Sequence, residues 1–317
     1  MLYCIEYTPT DHIKEIVFGD QVMRQFGSLS DAVRFVCGEG AKVTGQRSVG
    51  GGDINNAYRL EISDGSIIFM KENTAVNIGF FSAEAKGLAA IRSTGAIGTP
   101  DVLALGTDHT RSFLLLSYIG SGSRIKGFFE RFGEDLANMH KSPCDEYTPK
   151  GKFGFTDDNY IGAGYQENTV ESSWIAFFKD HRLLPQIDRA KRYFDTGDLA
   201  RIDKLIAKLD DILIEPDNPA LLHGDLWSGN YMTGPDGKAW LIDPAVYVGH
   251  PEADIAMTEL FGGFAPQFYD AYFETAGRHP GYEDRRDLYN LYHMLNHLNL
   301  FGGSYLPAVR RIINRYV

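Results

Sequence analysis

Leu221-Leu222-His223-Gly224-Asp225-Leu226-Trp227-Ser228-Gly229-Asn230 is followed, past a turn at Pro235-Asp236-Gly237, by Ala239-Trp240-Leu241-Ile242-Asp243-Pro244. The first segment carries the pattern H-x-D-x-x-x-x-N. It sets an Asp to receive a hydroxyl proton and, five residues on, an Asn to hold a metal ion. The second reads as a strand ending in a further Asp. Together they match a phosphoryl-transfer site, with Asp225 as catalytic base and Asn230 and Asp243 as metal ligands. A loose phosphoryl transition state leaves a protein mainly the tasks of positioning and neutralising charge. Hard oxygen ligands suit magnesium, which keeps waters and binds phosphates as well. Near its ordinary pKa of about 3.9 an Asp is a weak base, so Asp225 is expected chiefly to orient the hydroxyl and to take its proton late. Read alone, the same loop also fits a polar turn in which His223 is a satisfied core histidine and Trp227 is packing.

Elements upstream favour the first reading. Ile67-Ile68-Phe69-Met70-Lys71 is a strand ending in lysine, and Glu84 stands on the helical pattern that follows, from Ser82 to Arg92. A strand lysine paired with a helix glutamate is how nucleotide phosphates are held in such sites. Gly50, Gly51 and Gly52 fall between the first two strands, where backbone N–H groups would approach phosphate oxygens. The run is not G-x-G-x-x-G, a hairpin turn explains it equally well, and Asp53 adds a negative charge. Leu114 to Ile119 reads as a buried strand at the junction of two lobes. There the backbone of Ser117, Tyr118 and Ile119 would offer a carbonyl and an amide to adenine.

Residues 1 to 40 read as one or two short helices, with Ser30-Asp31 as a cap. Strands are expected at 41–49, 54–62 and 66–71, as an antiparallel meander, and again at 102–105 and 113–119. Gly120-Ser121-Gly122-Ser123 is the most linker-like stretch, and the pattern beyond it is helical, from Phe128 to Lys141 and from Trp174 to Arg182 onward. A β-rich lobe thus precedes an α-rich one. We expect an α+β, two-lobe protein-kinase-like fold: a small lobe, 1–119, around an antiparallel sheet, and a large, mainly helical lobe, 120–317, with ATP in the cleft.

Composition narrows the partners. The 317 residues include 31 Lys and Arg against 42 Asp and Glu, a formal charge of −11, with 44% hydrophobic residues. That is enough apolar material for two cores. It offers no basic footprint for a nucleic-acid backbone. Cys4, Cys37 and Cys144 have no CxxC spacing, so neither a disulfide framework nor a zinc site is indicated, and a reducing cytoplasm is expected. The N-terminus lacks a basic, apolar leader, and runs such as Phe113 to Leu116 are too short to span a membrane.

With these residues in place, the chain resembles the fructosamine kinase (ketosamine 3-kinase) family, a branch of the aminoglycoside phosphotransferase and protein-kinase-like superfamily. The likeness runs through Gly50–Asn55, Ala57–Leu60, Phe69–Asn73, Ala83–Leu88, Phe153–Phe155, Asp158–Gly162, His223–Asn230, Ile242–Ala245, Gly249-His250, Glu252–Met257 and Leu295–Tyr305. The resemblance implies ATP- and Mg2+-dependent phosphorylation of the sugar 3-hydroxyl of ketoamines. These are fructosamines or ribulosamines on free amines or on protein lysines, and the phosphate then favours loss of the sugar. It implies that Lys71 binds phosphates, Glu84 holds Lys71, Trp227 lies against the sugar, and Asp254 braces the catalytic loop alongside His223. Ser117 stands where many relatives have Glu, and Pro251 replaces the commoner Arg before Glu252. Two rivals remain at this stage: a kinase for aminoglycosides or other amino-alcohols, and a nucleotide-binding pseudokinase. The presence of Lys71, Glu84, Asp225, Asn230 and Asp243 together counts against the second.

Overall fold

In the computed structural model, residues 14–18, 21–50 and 54–317 are described. They fall into two compact units, one containing 100–119 and the chain up to Ala89, the other 90–99 and 120–317.

The first unit holds seven strands: β1 (Lys14–Phe18), β2 (Gln21–Phe26), β3 (Val43–Val49), β4 (Asn56–Ile62), β5 (Ile67–Thr74), β6 (Val102–Asp108) and β7 (Arg111–Ser117). They form one sheet in the order β1-β2-β6-β7-β5-β4-β3. All neighbours are antiparallel except β2 and β6, which run parallel through Gln25 and Phe26 beside Leu105 and Gly106. The expected meander is therefore present as β3-β4-β5. Of the one or two short helices expected in 1–40, α1 (Leu29–Cys37) is present, and the reading is corrected at 14–18 and 21–26, which are strands; the rest of 1–20 lies outside the described residues. Its N-cap is Ser28, whose hydroxyl accepts from the Asp31 N–H, rather than Ser30-Asp31. Short apolar runs cannot be told apart as helix or strand by periodicity alone, and here β2 is recruited as a strand by the exposed edge of β6.

Two-residue alternation along β5 sorts its side chains between two layers. Ile68 and Met70 join Leu60, Leu115 and α1 residues Ala32 and Val33 in one core cluster. Phe69 packs on the opposite face, against Phe81, Ala85, Leu88 and Leu114, where α2 (Ile78–Ser93) lies. Lys71, two residues beyond Phe69, is thereby directed at α2. The helix is longer than the 82–92 expected from its pattern.

The second unit is mainly helical: α3 (Phe128–Lys141), α4 (Trp174–Phe178), α5 (Leu184–Ala190), α6 (Thr196–Ile206), α7 (Leu209–Ile212), α8 (Glu252–Leu260), α9 (Pro266–Ala276), α10 (Tyr282–Phe301) and α11 (Leu306–Tyr316). A π-helical turn at Lys179–Leu183 joins α4 to α5. Helices α3 and α9 approach closely at Gly133, where a Cβ would stand 2.2 Å from the Phe268 carbonyl oxygen. Three small antiparallel ribbons complete the unit. They pair β8 (Asn159–Ile161) with β9 (Gly164–Gln166), β10 (Ala220–Leu222) with β13 (Tyr247–Gly249), and β11 (Tyr231–Thr233) with β12 (Ala239–Leu241). Residues 90–99, read from the sequence as part of the first lobe, group with this unit instead. Gly98 bridges Trp240, and its carbonyl accepts from the Leu241 N–H at 2.8 Å. Among the described residues no helix is long and apolar enough to cross a membrane.

Candidate active site

Two pieces of chemistry are built, one in each unit. In the first, Lys71 Nζ lies 2.6 Å from Glu84 Oε1, and the two side chains are only 9% and 11% exposed. The pairing expected from sequence is therefore made. Gly50 is an exposed residue just past β3, while Gly51, Gly52 and Asp53 lie outside the described residues. At the end of β7 the Ser117 N–H donates to the Asp101 carbonyl at 2.9 Å, and the Ser117 hydroxyl accepts from the Asp101 N–H at 2.8 Å. The Ser117 amide is thus already used, which leaves its carbonyl and the backbone of Tyr118 and Ile119. Tyr118 is exposed, with the Arg59 guanidinium 5.7 Å from its ring centre, and Ile119 follows it outside the strand.

In the second unit, β10 ends at Leu222 and the chain turns at once. Gly224 has φ +82°, and a Cβ there would sit 2.0 Å from the Ala245 carbonyl oxygen, so only glycine fits. Asp254, on the first turn of α8, is 1% exposed and holds this turn from below. Its Oδ2 accepts from the His223 N–H at 2.7 Å, and its Oδ1 from the Gly224 N–H at 2.9 Å. His140 on α3 adds a bond from Nε2 to the same carboxylate at 3.2 Å, and its Nδ1 pairs with the Tyr272 hydroxyl at 2.7 Å. Burial works against the Asp254 charge, but the bonds from His140 and Gly224 outweigh it and hold the carboxyl below its usual range. Nothing in the sequence pattern singles out His140 or Tyr272, which lie 114 positions before Asp254 and on a separate helix, respectively.

His223 is fully buried and clips two segments together. Its Nε2 donates to the Ile242 carbonyl at 2.9 Å, and its Nδ1 accepts from the Asp225 N–H at 3.3 Å. Both bonds require the neutral tautomer with the proton on Nε2. Burial favours that form by pushing the imidazole pKa down. The structural role read for His223 from sequence thus has a geometry: it fixes Asp225 relative to the strand end that leads into Asp243.

Asn230 immediately precedes β11, and Asp243 follows β12 by one residue. The pairing of the two strands, continued by the Ile242 N–H donating to the Asn230 carbonyl at 3.0 Å, delivers both residues to one end of a hairpin. Asp243 has φ +56°, the left-handed region that a residue with a Cβ rarely occupies. The Asn230 Nδ2 donates to the Asp225 carbonyl at 2.8 Å and to Asp225 Oδ2 at 3.2 Å, which turns the Asn230 amide oxygen away from the base. An amide oxygen and a carboxylate are hard donors that fit magnesium completed by phosphate oxygens and water. A dedicated protein cage is not needed for such an ion, and among the described residues no group of three or more His, Cys, Asp or Glu is arranged to hold a metal by itself.

Around Asp225, burial raises the carboxyl pKa to about 7, the Asn230 bond opposes the rise, and the charges of Asp243 and Asp254 add to it. Sequence cannot register this desolvation, which lifts the carboxyl above the ordinary value expected from the residue type. Trp227, on the same turn, is 38% exposed and meets Phe261 edge-on at 6.2 Å between ring centres. It is no core residue. Glu252, next to the Pro251 that departs from the usual pattern, receives two bonds from Arg285, at 2.7 and 2.6 Å.

Known proteins resemble this chain along most of its length. The fructosamine kinase family profile matches residues 26–317. A probable ketoamine kinase of Synechocystis sp. is 37% identical over 289 residues, covering 91% of this chain and 95% of that protein. A chloroplastic protein-ribulosamine 3-kinase of Oryza sativa subsp. indica is 40% identical over 285 residues, 88% of this chain and 81% of its own. The crystal structure of a putative fructosamine-3-kinase from Haemophilus somnus 129PT superposes with a TM-score of 0.82 at 28% identity, over 92% of this chain and 97% of that one. A macrolide 2'-phosphotransferase, at 16% identity and a TM-score of 0.56, shares the fold alone. The brace under the catalytic turn, the Lys71–Glu84 pair and a match reaching from Phe26 to the C-terminal residue have one common account, and the chain belongs to the fructosamine kinase family.

Proposed function

We propose that this protein, an ATP-dependent phosphotransferase of the fructosamine kinase family, moves the γ-phosphoryl group of ATP to the 3-hydroxyl of a ketoamine, a fructosamine or ribulosamine. The observation that carries the reading is the geometry of the catalytic-loop turn. It holds the Asp225 carboxylate against the Asn230 amide at 3.2 Å, over the Asp254 brace, two residues from the 38% exposed indole of Trp227. The hydroxyl proton passes to Asp225, the sugar oxygen bonds to phosphorus, and the bond from phosphorus to the β–γ bridging oxygen breaks to release ADP. Lys71, steadied by Glu84, binds the nucleotide phosphates. Asn230 and Asp243 would hold magnesium, which when bound neutralises phosphate charge. Trp227 offers a flat apolar face to the sugar. Asp254 and His223 position the loop without touching substrate. Phosphorylation at this carbon favours later loss of the sugar and return of the free amine.

The relatives named as ketoamine and ribulosamine kinases support this choice of acceptor over an aminoglycoside. The test is ATP consumption with fructoselysine, ribuloselysine, an aminoglycoside, or no acceptor. Turnover of at least one ketoamine, with phosphate on O3, is expected. Turnover of the aminoglycoside with neither ketoamine accepted would overturn the reading, and ATP binding with no acceptor used at all would point to an interaction module.

A further inference from the structure

Within the second unit lies a pocket of about 330 Å³ lined by Tyr165, Gln186, Arg189, Arg192, Asn296 and Asn299, among others. Its polar lining is made of amides, a phenol and two guanidinium groups, with no carboxylate. That is unusual in a chain with a formal charge of −11. Neither arginine forms an ion pair among the described residues. Arg189 Nη2 donates to the Tyr165 carbonyl at 2.8 Å, and Arg192 Nη2 to the Tyr193 hydroxyl at 3.2 Å, which leaves further N–H groups on each fork.

The amides are fixed in one direction. Asn299 Nδ2 donates to Gln186 Oε1 at 2.7 Å, and Gln186 Nε2 donates to Asn296 Oδ1 at 3.2 Å. Gln186 and Asn296 are 2% and 4% exposed, so the floor is a built structure rather than mobile surface. Asn299 Oδ1 is left buried with no donor among the described residues. The lining thus supplies cationic forks for an oxyanion and an acceptor in want of an N–H or O–H group, the complement of an amino-acid carboxylate and its amine.

The pocket also connects to the reactive end. Tyr165 in its lining precedes Gln166, whose Nε2 donates to the Ala245 carbonyl at 3.1 Å, two residues past Asp243, and whose Oε1 accepts from the buried Tyr292 hydroxyl of α10 at 2.5 Å. A lysine carrier glycated on its side-chain nitrogen has four methylenes with which to cover such a separation, while a lysine within a protein has no free carboxylate to offer.

Building on the proposed ketoamine kinase activity, we infer that this pocket binds the α-carboxylate of a free glycated amino acid, which selects small glycated amino acids over glycated protein.

The experiment compares fructoselysine with its decarboxylated counterpart, glycated cadaverine, in steady-state kinetics and in calorimetric binding. Wild type, Arg189→Ala/Arg192→Ala and Arg189→Lys/Arg192→Lys are used, with melting curves to confirm that each is folded. The wild type should favour fructoselysine about tenfold in KM and Kd, equivalent to about 1.4 kcal/mol. The alanine pair should bring that ratio close to one, and the lysine pair should keep part of it. Equal values for the two compounds in the wild type, or an unchanged ratio in the alanine pair, would overturn the inference. Turnover of neither compound refutes the proposed activity instead. The binding comparison then still decides the pocket, with equal affinities counting against it.

Discussion

Replacing Asp254 by Asn changes almost no volume and removes one charge, so it isolates what holds the catalytic turn. The carboxylate accepts the N–H groups of His223 and Gly224 at 2.7 and 2.9 Å and the His140 Nε2 at 3.2 Å, in a site where it is 1% exposed. An amide has one accepting oxygen, so at least one of these donors must face an NH2 group. Hydrogen bonds to charged groups contribute about 1.5–3 kcal/mol each. Breaking a buried charged cluster by removing one member costs about 3–5 kcal/mol. At about 2–4 °C per kcal/mol for a unit of this size, melting should fall by about 10 °C. The turn carries Asp225, so kcat measured well below the melting temperature should drop at least tenfold while KM for ATP changes little. Calorimetry and initial rates on the same preparation give both numbers. A variant that melts with the wild type and keeps its kcat would refute the brace, and one that melts early with an unchanged kcat would restrict Asp254 to folding.

Asp225→Asn should lower kcat by about 10²–10⁴, the usual contribution of a positioned base, with ATP affinity nearly unchanged in a direct titration. Trp227→Ala should raise KM for the ketoamine more than it lowers kcat. Since the residue is 38% exposed, the change should not incur the about 3–5 kcal/mol of a buried tryptophan, which a melting curve checks. Burial pushes His250 and His293 down to about 3, so the unfolded chain takes up protons below pH 6.5 that the native protein refuses. Their contribution is therefore intact above 6.5 and is lost as pH falls toward 3, by up to about 1.4 kcal/mol per pH unit for each. His250→Gln should flatten the stability profile between pH 4.5 and 6 by about one proton, and an unaltered slope would count against a neutral buried imidazole.

Much of the site could be read from the chain because its parts are sequence-local. His223 to Asn230 is a single turn, and the strand after it ends one residue before Ile242 and Asp243 whatever surrounds it. Lys71 and Glu84 were legible for another reason: alternation along β5 turns Lys71 toward the layer that α2 must cover. What escaped was long-range. His140 and Tyr272 reach Asp254 from separate helices, and no local pattern marks them. The lift of the Asp225 carboxyl comes from burial and from the nearby Asp243 and Asp254 charges, which no local pattern encodes. Residues 14–18 and 21–26 read as helix because their strand character is conferred by pairing, not by propensity. The segment 90–99 was misplaced because a bridge from Gly98 to Trp240, 142 positions on, has no signature in either stretch.

The left-handed backbone at Asp243 bears on how this protein would respond to selection. A non-glycine residue in that region carries roughly 1–3 kcal/mol of strain, and Asp243 adds a negative charge near the carboxyl of Asp225. Asparagine tolerates the conformation better and carries no charge. Heat resistance and catalysis therefore pull this position in opposite directions. A library screened only for survival at high temperature should accumulate Asp243→Asn among folded but inactive clones, whereas screening the same library for turnover should return aspartate every time.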